Sequence, residues 1–197
     1  MSFDGKYVIT ADRDEKIRIS HYPNCYEIHQ FCLGHTELVI WIQLLSNELL
    51  VSAGGDGTIR LWSIENGTCL CTMKTGSVAA SEDGADATVR MPNSCAVVSP
   101  TRFWVSFEGS STISLYEVQN GKDIVEIETK NVNSAVFSLT FINQQLVALV
   151  NDEPNLRNLT NTDSNVQFKV NLDVGEVGGK SSMKKQRDVK YKKPRLE

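Results

Sequence analysis

Three residues of this chain are of the types that form the catalytic triad of hydrolases: His35, Ser52 and Asp56. In an open cleft, a serine nucleophile, a histidine base and an orienting carboxylate support acyl transfer. The same three types also form buried hydrogen-bond networks that stabilise a fold. The elements that position these residues must decide between the two interpretations.

The remaining motifs do not indicate metal or phosphate chemistry. His21 and His29 lack further ligands at the spacings that zinc sites use. The glycine-rich stretch 54–57 lacks the lysine and hydroxyl residue of a phosphate-binding loop, so we interpret it as a turn. We therefore expect no metal site and no bound cofactor.

The cysteine content indicates reduced thiols. The number of cysteines is odd, and none of them forms a C-x-x-C pair. We expect them to be reduced and to fill the core. The five cysteines are Cys25, Cys32, Cys69, Cys71 and Cys95.

A recurring turn-and-strand pattern organises the chain. Its first copy is the charged stretch 10–20, and its second copy is the stretch 53–63. A third copy covers 102–116, and a weaker fourth copy follows residue 135. Short strands that recur every 40–45 residues are typical of β-propeller blades. We predict an all-β fold of about four WD-repeat propeller blades, because no segment has helical apolar spacing.

Two stretches break this rhythm. Residues 74–93 are rich in glycine, alanine, serine and acidic residues, and are predicted to be a long exposed loop. Residues 166–172 alternate between apolar and polar types and could add a last strand. We assign 1–173 to propeller blades and 174–197 to a disordered basic tail. Seven blades would need roughly 280 residues, so we expect an incomplete propeller, either truncated or closed in another way.

The charge of the chain is unevenly distributed. Residues 180–197 contain eight basic and two acidic residues, whereas residues 1–179 contain 12 basic and 22 acidic residues. The tail has three open interpretations: a nuclear import signal, which its clustered charge favours, an arm that contacts RNA phosphates, or a solubilising end. The tail residues in question are Lys184, Lys185, Arg187, Lys190, Lys192, Lys193 and Arg195.

The import interpretation leads us to expect the protein in the nucleus, with the cytoplasm as a second compartment. No apolar run approaches the ~20 residues that cross a bilayer, and the N-terminus lacks the pattern of a signal peptide. We therefore expect no membrane association.

The second copy contains four residues whose spacing matches one blade network: His35, Ser52, Asp56 and Trp62. In this respect the chain resembles the WD-repeat family. In that family, the aspartate of the tight turn holds the histidine, which contacts a serine or threonine and the tryptophan. The resemblance implies that this set stabilises the blade and that the chain has no catalytic residue.

The stretches 10–20 and 31–37 resemble one WD-repeat subfamily, the non-catalytic subunits of tRNA guanine-N7 methyltransferases. The resemblance implies a scaffold in a heterodimer with the catalytic subunit, which binds S-adenosylmethionine and methylates tRNA. The tRNA would be contacted through the complex. The resemblance also implies that the charged motif lies near the catalytic subunit, which points to the set Asp14, Glu15, Lys16 and Arg18.

The charged motif can also be interpreted from its residue types. Lys16 and Arg18 alternate with Ile17 and Ile19, so both should point outward from a strand. We expect Glu15 to pair with Arg18, and arginine is a frequent anchor at interfaces. The alternatives are a solvated turn, or another kind of WD-repeat platform such as a ubiquitin-ligase substrate adaptor or a nuclear scaffold.

Overall fold

The computed structural model describes residues 1–78, 88–152 and 156–159. These residues form sixteen strands and no helix, which confirms the all-β prediction. Accordingly, no described helix is long and apolar enough to cross a membrane. Most strands belong to four antiparallel sheets, which we call blades 1 to 4 in chain order.

Blade 1 has three strands and contains the charged motif. The strands are β1 (Tyr7–Ala11), β2 (Ile17–His21) and β3 (Ile28–Cys32). Ile17 and Ile19 are 0% exposed, whereas Lys16 and Arg18 are exposed. The alternation predicted from the sequence therefore exists, because successive side chains of a strand point to opposite faces.

Blade 2 has four strands and contains Ser52, Asp56 and Trp62 of the predicted network, whereas His35 precedes its first strand. The strands are β4 (Val39–Leu44), β5 (Leu49–Gly54), β6 (Thr58–Ser63) and β7 (Cys69–Lys74). The turn between β6 and β7 contains Asn66-Gly67, and Gly67 has a φ of 67°. A glycine adopts this left-handed conformation at little cost, so an Asn-Gly pair between two strands indicates a hairpin turn.

Blade 3 follows a short two-stranded sheet. That sheet consists of β8 (Ser77–Val78) and β9 (Thr88–Val89), and the blade consists of β10 (Pro92–Ser99), β11 (Arg102–Phe107), β12 (Thr112–Gln119) and β13 (Asp123–Asn131). The prediction of a continuous loop over 74–93 is therefore wrong for its described ends. The pairing of β8 with β9 is invisible to local patterns because it joins residues about ten positions apart. Residues 79–87 lie outside the described residues.

Blade 4 consists of β14 (Val136–Ile142), β15 (Gln145–Val150) and β16 (Leu156–Asn158). The first two strands match the weak fourth copy, and the third was not predicted. The predicted last strand over 166–172 lies outside the described residues.

The blades pack face to face in chain order. The first strands of successive blades are in contact, β1 with β4, β4 with β10, and β10 with β14. Each interface contains its own apolar cluster. Among the members of these clusters are Ile17, Ile19 and Trp62 between blades 1 and 2, Ile59, Leu61 and Phe103 between blades 2 and 3, and Trp104, Leu139 and Ala148 between blades 3 and 4. Such packing couples neighbouring repeats, as in other repeat proteins.

The cysteines occupy different environments. All five are free thiols, and Cys32 and Cys95 are buried, as predicted. Cys25 and Cys69 are exposed, so the prediction that they fill the core is wrong. Cys25 lies in the turn between β2 and β3, and Cys69 begins an outer strand. Neither position is covered by a neighbouring blade.

Candidate functional site

The four network residues of blade 2 form one chain of hydrogen bonds. Trp62 donates from Nε1 to Oγ of Ser52 over 2.8 Å, and Ser52 Oγ lies 2.8 Å from His35 Nε2. His35 Nδ1 lies 3.0 Å from Oδ2 of Asp56. The chain of donors is consistent when Ser52 donates to Nε2 and His35 donates from Nδ1 to the carboxylate. This arrangement of donors requires a neutral His35 with its proton on Nδ1.

The pKa values of His35 and Asp56 shift in directions that agree with these hydrogen bonds. Burial lowers the pKa of His35 below its ordinary value, and this effect outweighs the opposing attraction of Asp56. Burial alone would raise the pKa of Asp56. The hydrogen bonds that its carboxylate accepts from Thr58, His35 and Thr36 outweigh burial and lower the pKa. The network thus contains a neutral imidazole and an ionised carboxylate.

The tight turn has the glycines that this geometry requires. An ideal Cβ on Gly54 would lie 2.5 Å from His35 Nδ1 and 2.8 Å from Asp56 Oδ1. Gly57 has a φ of 68°, which favours glycine. Glycine at position 54 leaves room for the His35 imidazole to bond to the Asp56 carboxylate, and glycine at position 57 allows the left-handed turn.

The apparent triad has no access for a substrate. Ser52 is 0% exposed, and its oxygen already accepts the indole N–H of Trp62. His35 is also buried, at 5% exposure. A nucleophile must reach the atom that it attacks, so this arrangement holds the blade together and does not support acyl transfer.

Two further residues join the network, and the sequence analysis missed both. Thr58 donates from Oγ1 to Asp56 Oδ1 over 2.7 Å. Arg60 donates from Nε to Thr58 Oγ1 over 3.2 Å, and its Nη2 lies 3.7 Å from Asp56 Oδ2. A threonine two positions after the turn aspartate was the available signal, because such residues bond locally.

Blade 3 has the same strand positions without the same network. Ser106 corresponds to Ser52 and is 0% exposed, yet its Oγ has no hydrogen-bond partner among the described residues. Tyr116 corresponds to Trp62, but its hydroxyl lies 3.4 Å from Glu126 instead of reaching Ser106. The network is therefore specific to blade 2 among these two blades.

The charged motif forms an exposed turn between β1 and β2. Asp14 donates its backbone N–H to Oδ1 of Asp12 over 2.9 Å, so the side chain of Asp12 shapes the turn. Asp14, Glu15 and Lys16 are all exposed. The turn brings three of the four predicted partner-binding residues together, and Arg18 follows on β2.

Glu15 has an unusual backbone conformation. Its φ is 64°, close to the 68° of Gly57 at the corresponding position of the second copy. A left-handed conformation costs a non-glycine residue about 1 kcal/mol or more. The alignment of the two copies contained this signal, because it places Glu15 where the other turn has glycine.

Arg18 does not pair with Glu15, so that prediction is wrong. No ion pair or hydrogen bond of the Arg18 side chain is found among the described residues, whereas the corresponding Arg60 contacts Asp56 and Thr58. Arg18 lies opposite Thr10 and Phe31, on the face of blade 1 that points away from blade 2. The reason is geometric, since Glu15 belongs to the turn and Arg18 to the second position of the strand.

The remaining predicted candidates lie outside the site. The basic residues of 184–195 fall beyond the described residues. His21 and His29 form a ring cluster with Tyr7, with centroid distances between 4.6 and 5.4 Å. Among the described side chains, no group of three potential ligands could hold a metal ion.

Comparisons with known proteins give a consistent match. A family model described as the tRNA methyltransferase TRM82 WD40 domain matches residues 2–170. The chain is similar to the tRNA (guanine-N(7)-)-methyltransferase non-catalytic subunit wdr4 of Dictyostelium discoideum, at 55% identity over 73 residues, which is 36% of this chain and 16% of that protein. It is also similar to the non-catalytic subunit wuho of Anopheles gambiae, at 39% identity over 106 residues, which is 53% of this chain and 26% of that protein. The aligned segments therefore span about a quarter or less of these relatives.

Proposed function

Because this chain belongs to the family of the tRNA methyltransferase TRM82 WD40 domain, we propose that it is a non-catalytic scaffold subunit. It binds and stabilises the catalytic subunit of a tRNA guanine-N7 methyltransferase and so supports N7-methylguanosine formation in tRNA. The catalytic subunit binds S-adenosylmethionine, and tRNA is contacted through the complex. The names of its relatives support this proposal, and the closed His35–Ser52–Asp56 set supports a role without chemistry.

The observation that carries the proposed site is the backbone of Glu15. The fold of this turn favours glycine, as Gly57 shows at the corresponding position. Glu15 is exposed and has a φ of 64°, and its side chain forms no hydrogen bond or ion pair among the described residues. Strained residues of this kind concentrate at functional positions, so we assign its carboxylate to the partner.

Further exposed charges adjoin Glu15 along the chain. Asp14 and Lys16 are exposed in the turn, and the Arg18 guanidinium lacks an intramolecular partner among the described residues. Unpaired arginine and carboxylate groups can form charge-assisted hydrogen bonds with a partner without breaking bonds within the blade.

Two substitutions test this proposal. Glu15→Gly removes the carboxylate and relieves the backbone strain, so the variant should be as stable as the wild type or more stable, by up to about 1 kcal/mol. Arg18→Glu reverses one exposed charge. Both variants should bind the catalytic subunit from the same organism at least about tenfold more weakly and should support less N7-methylguanosine formation.

The readouts are the dissociation constant for the catalytic subunit, N7-methylguanosine in a tRNA substrate, and thermal unfolding. Gln144→Gly is the matched control, because Gln144 is also exposed and has a left-handed φ of 62°, in the turn between β14 and β15 of blade 4. If the wild type does not bind the catalytic subunit, the proposal is wrong. If both variants bind like the wild type, the assigned residues are wrong.

We also propose that the protein acts in the nucleus. The clustered basic residues of 184–195 support this proposal.

A further inference from the structure

The loop 33–38, between β3 and β4, exposes two leucines. Leu33 is 61% exposed and Leu38 is 50% exposed, on either side of the buried His35. Thr36 and Glu37 are exposed between them. Isolated exposed leucines are common on protein surfaces. Here both leucines lie in one short loop, and a rigid loop would present them to a partner together.

The blade network fixes the shape of this loop. Thr36 donates its backbone N–H to Asp56 Oδ2 over 3.1 Å, and Gly55 donates its backbone N–H to the carbonyl of Leu38 over 2.8 Å. His35, in the middle, bonds to Asp56 and Ser52. A loop held at three points loses little conformational entropy when a partner binds, which favours affinity.

The loop continues the charged turn of blade 1. β2 and β3 are in register at Ile17 and Cys32. Lys16 directly precedes Ile17 and Leu33 directly follows Cys32, so the charged turn and the loop begin at the same end of this strand pair. At the other end of the loop, an ideal Cβ on Gly55 would lie 3.7 Å from Leu38 Cγ and 2.9 Å from Glu37 Oε2. Apolar side chains next to a rim of charged groups are the usual anatomy of a protein interface.

The charge of the chain indicates which partner fits. Residues 1–179 contain 22 acidic and 12 basic residues. The loop itself adds the exposed carboxylate of Glu37, and the charged turn has three exposed acidic residues, Asp12, Asp14 and Glu15, against the two exposed basic residues Arg13 and Lys16. A protein that handles tRNA needs basic surface to bind phosphates, and such a protein complements an acidic scaffold.

We infer that Leu33 and Leu38 are apolar anchors for the catalytic methyltransferase subunit, on a loop that the His35–Asp56 network holds in its bound shape. This inference rests on the proposed function. It extends the docking surface from the charged turn of blade 1 to the loop that enters blade 2. His35 and Asp56 then act as positioning residues, which hold the loop without touching the partner.

The test measures the dissociation constant of the full chain for the catalytic subunit from the same organism. Leu33→Asp and Leu38→Asp should each weaken binding at least about tenfold, because each places a charge in a desolvated contact. Leu38→Met should stay within about threefold of the wild type, since methionine keeps an apolar side chain of similar volume. Ile142→Asp is the control. Ile142 is 56% exposed and is the last residue of β14. The first residue of that strand, Val136, bonds to Ser110 in the turn between β11 and β12, so Ile142 lies at the opposite end of the strand from this turn.

Thermal unfolding of each variant accompanies the binding measurement. Weak binding by both aspartate variants, with normal binding by the control and unchanged unfolding, supports the inference. If the wild type binds and both aspartate variants bind equally well, the inference is wrong while the proposed function stands. If the wild type does not bind, the proposed function itself fails.

Discussion

Two buried serines at equivalent positions differ in what surrounds them. Ser52 lies between Trp62 Nε1 and His35 Nε2, each at 2.8 Å. Ser106 is equally buried and has no partner for its hydroxyl among the described residues. The net contribution of a buried polar group depends on whether its partners are present.

This difference predicts opposite effects of the same substitution. Ser52→Ala leaves the indole N–H of Trp62 and the Nε2 acceptor of His35 without a partner, so it should lower the free energy of unfolding by about 1–3 kcal/mol. Ser106→Ala removes an unpaired hydroxyl and should be neutral or slightly stabilising. Urea titration of both variants measures the difference. Equal losses would contradict the role given to the network.

The neutral state of His35 predicts a dependence of stability on pH. The folded pKa lies below the ordinary 6.5. Below about pH 6.5 the unfolded chain therefore binds a proton that the folded chain does not, and stability falls as pH decreases towards the folded pKa. Asp56, whose folded pKa lies below 3.8, adds a further loss as pH falls below that value.

The measurement is the unfolding temperature between pH 7.5 and 5 for the wild type and for His35→Asn. The variant should be less stable at pH 7.5 and should lose less stability on acidification. Parallel curves would show that His35 does not titrate as inferred.

The blades are joined by polar contacts as well as by apolar packing. Asn93, near the start of β10, donates from Nδ2 to the carbonyls of Val136 and Phe137 over 3.1 and 2.9 Å. These carbonyls lie at a register shift of β14, where the ladder with β15 is irregular. Ser94 adds a bond from the backbone N–H of Leu139 over 3.0 Å. The side chains of one blade thus satisfy the backbone groups of the next.

Removal of this contact should loosen blade 4 alone. Asn93→Ala deletes two hydrogen bonds, each of which contributes about 0.5–1.5 kcal/mol. Amide hydrogen exchange should become faster in β14 and β15 and stay unchanged in β5 and β6. Uniformly faster exchange in all blades would instead indicate that the four blades unfold as one cooperative unit.

The whole molecule combines an acidic body with a basic end. The body, residues 1–179, has ten more acidic than basic residues, and the segment 180–197 has six more basic than acidic residues. Charge of opposite sign in two parts of one chain allows the two parts to bind different partners.

Deletion of residues 180–197 separates these interpretations. We expect the nuclear fraction of a fluorescently tagged chain to fall, because the clustered basic residues are removed. Fluorescence microscopy measures the ratio of nuclear to cytoplasmic signal, and Arg18→Glu is the control that should not change it. An unchanged ratio, together with weaker and less salt-dependent binding of tRNA by the complex, would assign the segment to RNA contact instead.

The sequence alone determined the repeat and its chemistry. Alternation along β2 and β6, the Asn-Gly turns and the 42-residue spacing of Asp14 and Asp56 are local features, because strand faces and turns depend on a few neighbouring residues. The resemblance of the second copy to a WD repeat predicted the set His35, Ser52, Asp56 and Trp62, which the structure joins by hydrogen bonds. The charged motif at 10–20 is likewise evident from the sequence alone.

Only the tertiary structure decided how these elements are used. It excluded access to Ser52, exposed Cys69, separated Glu15 from Arg18 and paired β8 with β9. It also showed that Glu15 occupies a backbone conformation suited to glycine and that the network of blade 2 holds the loop with Leu33 and Leu38. The burial of Ser52, the exposure of Cys69 and the pairing of β8 with β9 depend on atoms that are distant along the chain, and they are set by how the sheets pack.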